Sequence, residues 1–381
     1  MKFETIMEID LNKLKKNTKK LCKSYSDYEY KIASLKDNAH AMGFKIVPTL
    51  VSGGINYIQA GSLKDALEIR KYDSKIPIFV SYYVTSEEIY DCINNNIAIT
   101  IPDLDYLNSL LDLKIKDELK MHILIDNGSN KLGIKSSEEL NTAIKLINDN
   151  KYFTLEGLWS EITTFGIEDE YYYDQMTGFY DVIKDYIDSD LIIHLNEPIM
   201  YHTKKDYING IHFDLSLLGI EENIPDSFFR NMHIKSIGKK YGDLEFPNIN
   251  LELIFNITSE VMAIREAKKG TLIGRNFVAK NDMMVALMPI GHKDGITKAI
   301  NFVGINGIKR QVLADEIDYL IVEVDENVKI KDKVYLINEE REIYDFLNML
   351  HTNRYYLMSI LNKGLFRSYI NGDLDTTEDY L

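Results

Sequence analysis

Short apolar runs return at close intervals along the first 220 residues. They are YEYKIAS (28–34), INYIQAG (55–61), PIFVSYY (77–83), IAITIPD (97–103), MHILID (121–126), FTLEGLW (153–159), LIIHLN (191–196) and GIHFDLS (210–216). Several are rich in β-branched and aromatic residues, as strands buried on both faces are. Between them lie segments with apolar residues at helical spacing, such as SLKDALEIRKY (62–72) and SEELNTAIKLINDN (137–150). Ser62 and Ser137 stand where helix caps are expected, and SSEE at 136–139 has the form of a capping box. Eight strands alternating with helices predict a (β/α)8 barrel of the TIM type over residues 1–228.

The pattern changes near residue 230. INLELIFNITSEVMAIREA, DMMVALMPIG, AINFVGI, YLIVEV and KVYLIN follow one another with turn residues between and little helix. This predicts a mostly-β domain over 229–381. A helical segment, IYDFLNMLHTNRYYLMSILNK (343–363), sits near its end, before a loose acidic tail, NGDLDTTEDYL.

Composition narrows the function classes. Of 381 residues 45% are apolar, enough for a large core, and the formal charge is −15. That balance argues against nucleic acid or an anionic membrane as partner, since both call for basic patches. No run of 18 apolar residues is present, so no transmembrane helix is expected. MKFETIMEIDLNKLKK lacks the apolar core of a signal peptide. Cys22 and Cys92 have neither metal-ligand nor disulfide-framework spacing and suit a reducing cytoplasm.

In a parallel barrel, chemistry gathers where the strands end, at the C-terminal mouth. Those positions hold Lys36 and His40, Asn127 to Lys131, Glu161, Asn196 and Glu197, and His212 and Asp214. They form a ring of polar groups expected to face one cavity. Each alone is what any solvent-facing strand end looks like.

On these motifs the chain resembles the alanine racemase family. EIDLNKLKKN (8–17) is similar to the family's opening, and SLKDNAHAMG to its K-x-N-A-Y-G-H-G. DNGSNKLGI (126–134) resembles D-T-G-M-x-R-L-G, EGLWSEITTFG (156–166) resembles G-x-x-T-H-F-A, and HFDLSLLG (212–219) resembles R-x-G-x-x-x-Y-G. MPIGHKDG (288–295) resembles the P-I-G-Y-A-D-G of the β domain. The resemblance implies a barrel plus a β domain, pyridoxal 5'-phosphate as cofactor, a small amino acid as substrate and a head-to-tail homodimer. It puts Lys36 in the place of the lysine that bonds the cofactor aldehyde. An amine must be partly neutral for that, which burial or a nearby cation arranges.

The residues around Lys36 depart from the family. Racemisation needs a base on each face of Cα. The family's second base is a tyrosine donated by the partner's β domain, and its place falls on Ile273, which moves no proton. Arg275 lies close in sequence but does not give up its proton. His292 replaces the tyrosine of P-I-G-Y, a substrate-contacting position, and an imidazole is the side chain suited to serve instead. At the phosphate, the family's ligand places hold His40, Glu197 (if Asn196 aligns with the family asparagine) and Asp214. Two like charges 4 Å apart cost about 4 kcal/mol at an effective dielectric of 20, so two carboxylates oppose a phosphate there. The ring-nitrogen arginine is His212, the carboxylate-binding arginine is Lys131 and the barrel histidine is Glu161. The M-D loop is read at GIK (307–309), which puts Lys309 in the aspartate's place, and a further phosphate tyrosine falls on Lys363.

Three readings follow. The first is a pyridoxal-phosphate racemase with its second base replaced, or a one-base relative such as a decarboxylase. The second is a racemase-like pseudoenzyme that binds or regulates without the cofactor. The third is a cofactor-free enzyme built on Lys36, His40, Glu161, Asp214 and His212, a set with no metal-binding motif.

Overall fold

The computed structural model describes residues 5–162, 169–196, 205–220, 249–295, 300–338, 343, 354–361 and 365–372. The boundary expected between 228 and 229, Glu197, Lys363, most of the 343–363 segment and most of the acidic tail lie outside the described residues. The chain opens with strand β1 (Ile6–Asp10), which is not part of the barrel. Eight strands then close on themselves: β2 (Tyr30–Leu35), β3 (Tyr57–Ala60), β4 (Ile78–Val80), β5 (Ile97–Ile101), β6 (Leu119–Leu124), β7 (Phe153–Glu161), β8 (Ile192–Asn196) and β9 (Gly210–Phe213). Neighbouring strands run parallel, and β9 returns to β2 with Tyr30 opposite Gly210 and Ala33 opposite Phe213. Each overlaps one of the eight apolar runs, because a strand covered on both faces needs apolar residues at nearly every position.

Side chains fill the barrel in layers, as the alternation of a strand requires. One core cluster joins a residue from each of seven strands: Ile32, Tyr57, Phe79, Ala98, Leu124, Trp159 and Ile192. Helices cover the outside. The one at Leu63–Tyr72 starts from Ser62, whose hydroxyl accepts from the Asp65 amide. The one at Ser137–Asn148 is capped by Ser136, not by Ser137, with Ser136 Oγ accepting from Glu139 N at 3.2 Å. The serine one place upstream has the extended backbone that a cap requires.

After β2 the backbone turns left-handed for five residues in a row, Asp37 to Ala41, with φ of 48°, 55°, 53°, 51° and 70°. None of them is glycine, and the conformation costs an L residue roughly 1–2 kcal/mol.

The second compact unit is discontinuous: Met1–Leu14, His40–Gly43 and Glu252–Leu381. Its strands are β1 with β10 (Phe255–Glu260), β11 (Ala263–Ala267), β12 (Leu272–Ile273), β13 (Phe277–Val278), β14 (Met283–Met288), β15 (Phe302–Ile305), β16 (Ile308–Asp315), β17 (Leu320–Val324), β18 (Lys333–Ile337) and β19 (Phe366–Ile370). Nine of them form one sheet, in the order β11-β14-β17-β16-β15-β18-β10-β1-β19. β12 and β13 form a separate hairpin. Within this unit β19 holds the last residue of the left-handed turn and the one after it: Arg367 Nε donates to Ala41 O, and Tyr369 OH donates to Met42 O at 2.7 Å. A helix at Arg354–Leu361 lies inside the predicted 343–363 segment.

Candidate functional site

Lys36 is the first residue after β2 and follows Ser34 on the same face of the strand. Glu161 ends β7. Lys36 Nζ donates to Glu161 Oε1 at 3.1 Å, and Lys131 Nζ donates to Glu161 Oε2 at 3.1 Å. Asn196 Nδ2, at the end of β8, lies 3.5 Å from Glu161 Oε1. One carboxylate therefore holds two ammonium groups and an amide. Lys131 is carried by the 126–134 loop, where Asp126 Oδ1 accepts from the amides of Gly128 and Asn130, each at 3.1 Å. Gly133 closes that loop at φ 133°, and a Cβ there would meet Asp126 N at 2.2 Å, so only glycine fits.

These groups border a cavity of about 440 Å³. Lys36, Lys131 and Glu161 supply its charge, and Leu124, Ile125 and Trp159 its apolar wall. Burial pushes the Lys36 amine down. The charges of Glu161 and Asp214, with the Glu161 hydrogen bond, outweigh burial and hold Lys36 above its ordinary 10.5. Burial likewise pushes the Glu161 carboxyl up, and the two lysines bring it below its ordinary 4.5. The resting site is thus a charged triad, Lys36⁺–Glu161⁻–Lys131⁺.

The sequence-predicted ring divides on this geometry. Lys36, Lys131, Glu161 and Asn196 come together. Asp214 is buried after β9, and its charge reaches Lys36. His212 is 1% exposed inside the barrel with both nitrogens engaged. Its Nε2 meets His194 Nδ1 at 2.7 Å, and its Nδ1 meets Ser34 Oγ at 3.1 Å and Gln59 Oε1 at 3.0 Å. His40 belongs to the other unit, buried with its ring 6.1 Å from that of Tyr355. Among the described residues no group of His, Cys, Asp and Glu side chains is arranged to hold a metal ion.

In the β unit, Ile273 is 5% exposed and packs with Ala267, Ala279, Val285 and Ile321. His292 Nε2 lies 2.6 Å from Asp315 Oδ2. Arg275 Nε pairs with Glu316 Oε2 at 2.9 Å, and all four border a cavity of about 220 Å³. Asp315 is the residue that sequence reasoning missed. The carboxylate beside His292 comes from LADE (313–316) at the end of β16, not from GIK (307–309), where Lys309 lies over the Phe302 ring at 4.9 Å. The signal was available, since Ala-Asp in LADE fits the M-D pattern as well as GIK does.

Comparison with known proteins agrees with this architecture. Residues 9–197 match the family model described as alanine racemase, N-terminal domain, and residues 254–369 the one described as alanine racemase, C-terminal domain. The chain is 26% identical over 381 residues to an alanine racemase of Borreliella burgdorferi, covering 95% of this chain and 96% of the relative. It is 24% identical over 352 residues to one of Staphylococcus epidermidis, covering 89% and 87%. Among solved structures, alanine racemase of Bacillus anthracis with bound L-Ala-P superposes with a TM-score of 0.84 at 20% identity, covering 97% of this chain and 96% of that one. Histidine racemase of Leuconostoc mesenteroides superposes with a TM-score of 0.76 at 18% identity, covering 97% and 98%.

Proposed function

Because the chain belongs to the alanine racemase family, we propose that it is a pyridoxal-phosphate enzyme acting at Cα of a small amino acid, with the family's second base replaced. The observation that carries the reading is Lys36 Nζ in the wall of a 440 Å³ cavity at the barrel mouth. That volume is within the range of small-molecule sites, roughly 300–1,000 Å³. An amine beside an apolar wall fits the aldehyde end of the cofactor. His212 keeps both nitrogens in the barrel interior and supports no contact to the ring nitrogen.

When bound, pyridoxal phosphate supplies a sink for the electron pair left at Cα. The chain's own residues supply the rest. Glu161 keeps Lys36 cationic at rest. One carboxylate shared by two ammonium groups leaves Lys131 able to take a second carboxylate, so a substrate carboxylate can replace Glu161 on Lys131. Lys36, once neutral, is the base on one face of Cα. His292, oriented by Asp315 at 2.6 Å, is the candidate base on the other. Members of this family pair a barrel with a second copy's β domain, so a head-to-tail homodimer would bring His292 to the mouth. Ile273 supports no role in proton transfer, because its side chain is spent on packing.

Full-length protein titrated with pyridoxal phosphate should turn yellow, and Lys36→Ala should not. Failure of the wild type to take up colour would sink the proposal and favour a cofactor-free binding protein, the reading for which the charge of Asp214 beside Lys36 speaks. With colour present, deuterium entering Cα with inversion supports two bases. Exchange with retention points to a one-base enzyme.

A further inference from the structure

Of the charged triad, Lys131 has the least to hold it. Its side chain is 56% exposed, and its ammonium bonds only to Glu161 among the described residues. A long exposed side chain gives up much of its freedom to keep such a pair, so the pair depends on where the main chain puts it. β6 ends at Leu124, but the chain stays tied to β7 beyond that point. Ile125 N donates to Trp159 O at 2.8 Å, and Ser160 Oγ donates to Ile125 O at 2.7 Å. Asn127 makes the last of these links: its Nδ2 donates to the main-chain carbonyl of Glu161 at 3.0 Å. Its Oδ1 accepts from Ser129 N at 3.3 Å. One side chain therefore joins the residue that carries the carboxylate to the turn that leads to Lys131. The amide uses both its donor and its acceptor, and an ionised aspartate would have no proton for the carbonyl. Asn127 is 2% exposed, so water does not make good a lost bond. The helix at Asp169–Ile183 presses on the same residue. A Cβ at Gly178 would meet Asn127 O at 2.5 Å and Asn127 C at 3.0 Å, so only glycine lets the helix lie that close.

We propose that Asn127 is a positioning residue that holds Lys131 on Glu161 and so sets how that one carboxylate is divided between Lys131 and Lys36. With Asn127 in place, Lys131 takes Oε2 and leaves Oε1 to Lys36. With the link cut, the 126–134 loop loosens, Lys131 moves out to solvent, and Glu161 acts on Lys36 alone. Lys36 then loses a neighbouring cation and gains an undivided carboxylate. Both changes favour its charged form. Asn127 touches neither lysine side chain, so its whole effect on Lys36 passes through Lys131 and Glu161. Gly178 belongs to the same device, because the helix it carries backs the main chain from which the Asn127 amide projects. The inference rests on the reading of Lys36 as the reacting amine, and it adds the group that keeps Glu161 from holding that amine too strongly.

The test reads the charge of Lys36 and needs no activity. Full-length protein without cofactor is methylated with formaldehyde and borohydride, and the mass of the Lys36 peptide is followed against pH. Asn127→Ala should lower the neutral fraction of Lys36 by roughly two- to fivefold, the range of an exposed ion pair, and move its curve to higher pH. Placed on Lys131→Met, the same substitution should add nothing, because the group it positions is gone. A general loosening of the mouth would instead shift both backgrounds alike. Gly178→Ala pushes on Asn127 from the helix and should repeat the shift and its dependence on Lys131, which decides the matter where Asn127→Ala does not fold. Two results overturn the inference: a Lys36 curve that does not move, or one that moves equally with and without Lys131. Colour with pyridoxal phosphate is a separate readout. A wild type that stays colourless sinks the enzyme reading and leaves this cycle standing, and a yellow wild type with a failed cycle removes only the role of Asn127.

Discussion

Replacing Glu161 with glutamine leaves the shape of the mouth and removes the charge that holds Lys36 cationic. At the observed 3.1 Å, a pair of unit charges is worth about 5 kcal/mol at an effective dielectric of 20 and about 1 kcal/mol in water. Glu161 is 35% exposed, which sets the pair in the lower part of that range, at about 1.5–3 kcal/mol after screening. A factor of ten corresponds to about 1.4 kcal/mol, so Glu161→Gln should raise the neutral fraction of Lys36 by roughly ten- to a hundredfold below its titration point. Burial, the largest influence on this amine, then acts against Asp214 and Tyr82 only. Reductive methylation with formaldehyde consumes neutral amine, and the mass of the Lys36 peptide reports its rate against pH. The variant's curve should lie at lower pH than the wild type's. A coincident or higher curve would refute the charged triad, and with it the view that a substrate carboxylate must displace Glu161 before Lys36 can act. Lys131→Met is the internal control: it also breaks one ion pair to Glu161, but it strengthens the hold on Lys36 and should move the curve the other way.

Other positions test separate parts of the structure. The Glu156 carboxyl is pushed up by burial but brought down to about 2 by His122, Tyr57 and Lys120, against an ordinary 4.5. Its contribution is therefore complete above pH 4.5 and is lost as pH falls towards 2, amounting to about 3 kcal/mol at about 1.4 kcal/mol per pH unit. Denaturant melts of Glu156→Gln should lack that acid-limb loss, and an unchanged limb would show that Glu156 is not held by its neighbours. Ile273→Tyr restores the family's residue type at a packed position and should destabilise the protein by about 1–3 kcal/mol in urea. A neutral result would mean that the position opens to solvent. Tyr369→Phe leaves Met42 O without its donor and should cost about 1–3 kcal/mol, with faster amide exchange at residues 40–43 as the specific readout. Asp315→Asn removes the group that orients His292 and should slow deuterium entry on one face of Cα by about a hundredfold or more, leaving the Lys36 face unchanged. Equal slowing on both faces would remove His292 from the reaction.

The barrel is legible in the sequence because its determinants are local. Eight apolar runs with helical segments between them already specify strands buried on both faces, and all eight strands occur where the runs lie. Lys36, Lys131 and Glu161 are legible too, since a strand's end in a parallel barrel is a statement about place. What escapes is whatever depends on closure. His122, His194 and His212 lie in three apolar runs, where each alone reads as an isolated polar residue in a core. Only the pairing of β8 with β9, and the curvature that faces β6 towards both, turns them into a file. Asp315 escapes for a related reason, because its partner His292 is 23 residues away in sequence and is brought to it by the sheet. The cap at Ser136 shows a smaller limit: two adjacent serines are equally good by type, and the backbone angle decides.

The left-handed turn after Lys36 shows why such a strand end cannot be judged from side chains alone. KDNAHA contains no glycine, and its five left-handed residues together cost roughly 5–10 kcal/mol, as much as a whole domain's net stability. Local preference therefore cannot choose this path, and nothing in the sequence of the turn announces it. Strain of that size persists only where the surroundings over-determine the conformation. Here Ala39, Ala41 and Met42 are fully buried, and Arg367 and Tyr369 bind the carbonyls of Ala41 and Met42. Those anchors act within five to six residues of Lys36 along the chain. At its other end the lysine is continuous with β2, whose register is set by β3 and β9. The register of β2 within the barrel sets where the Lys36 side chain leaves the strand, which is the preorganisation a reacting amine needs.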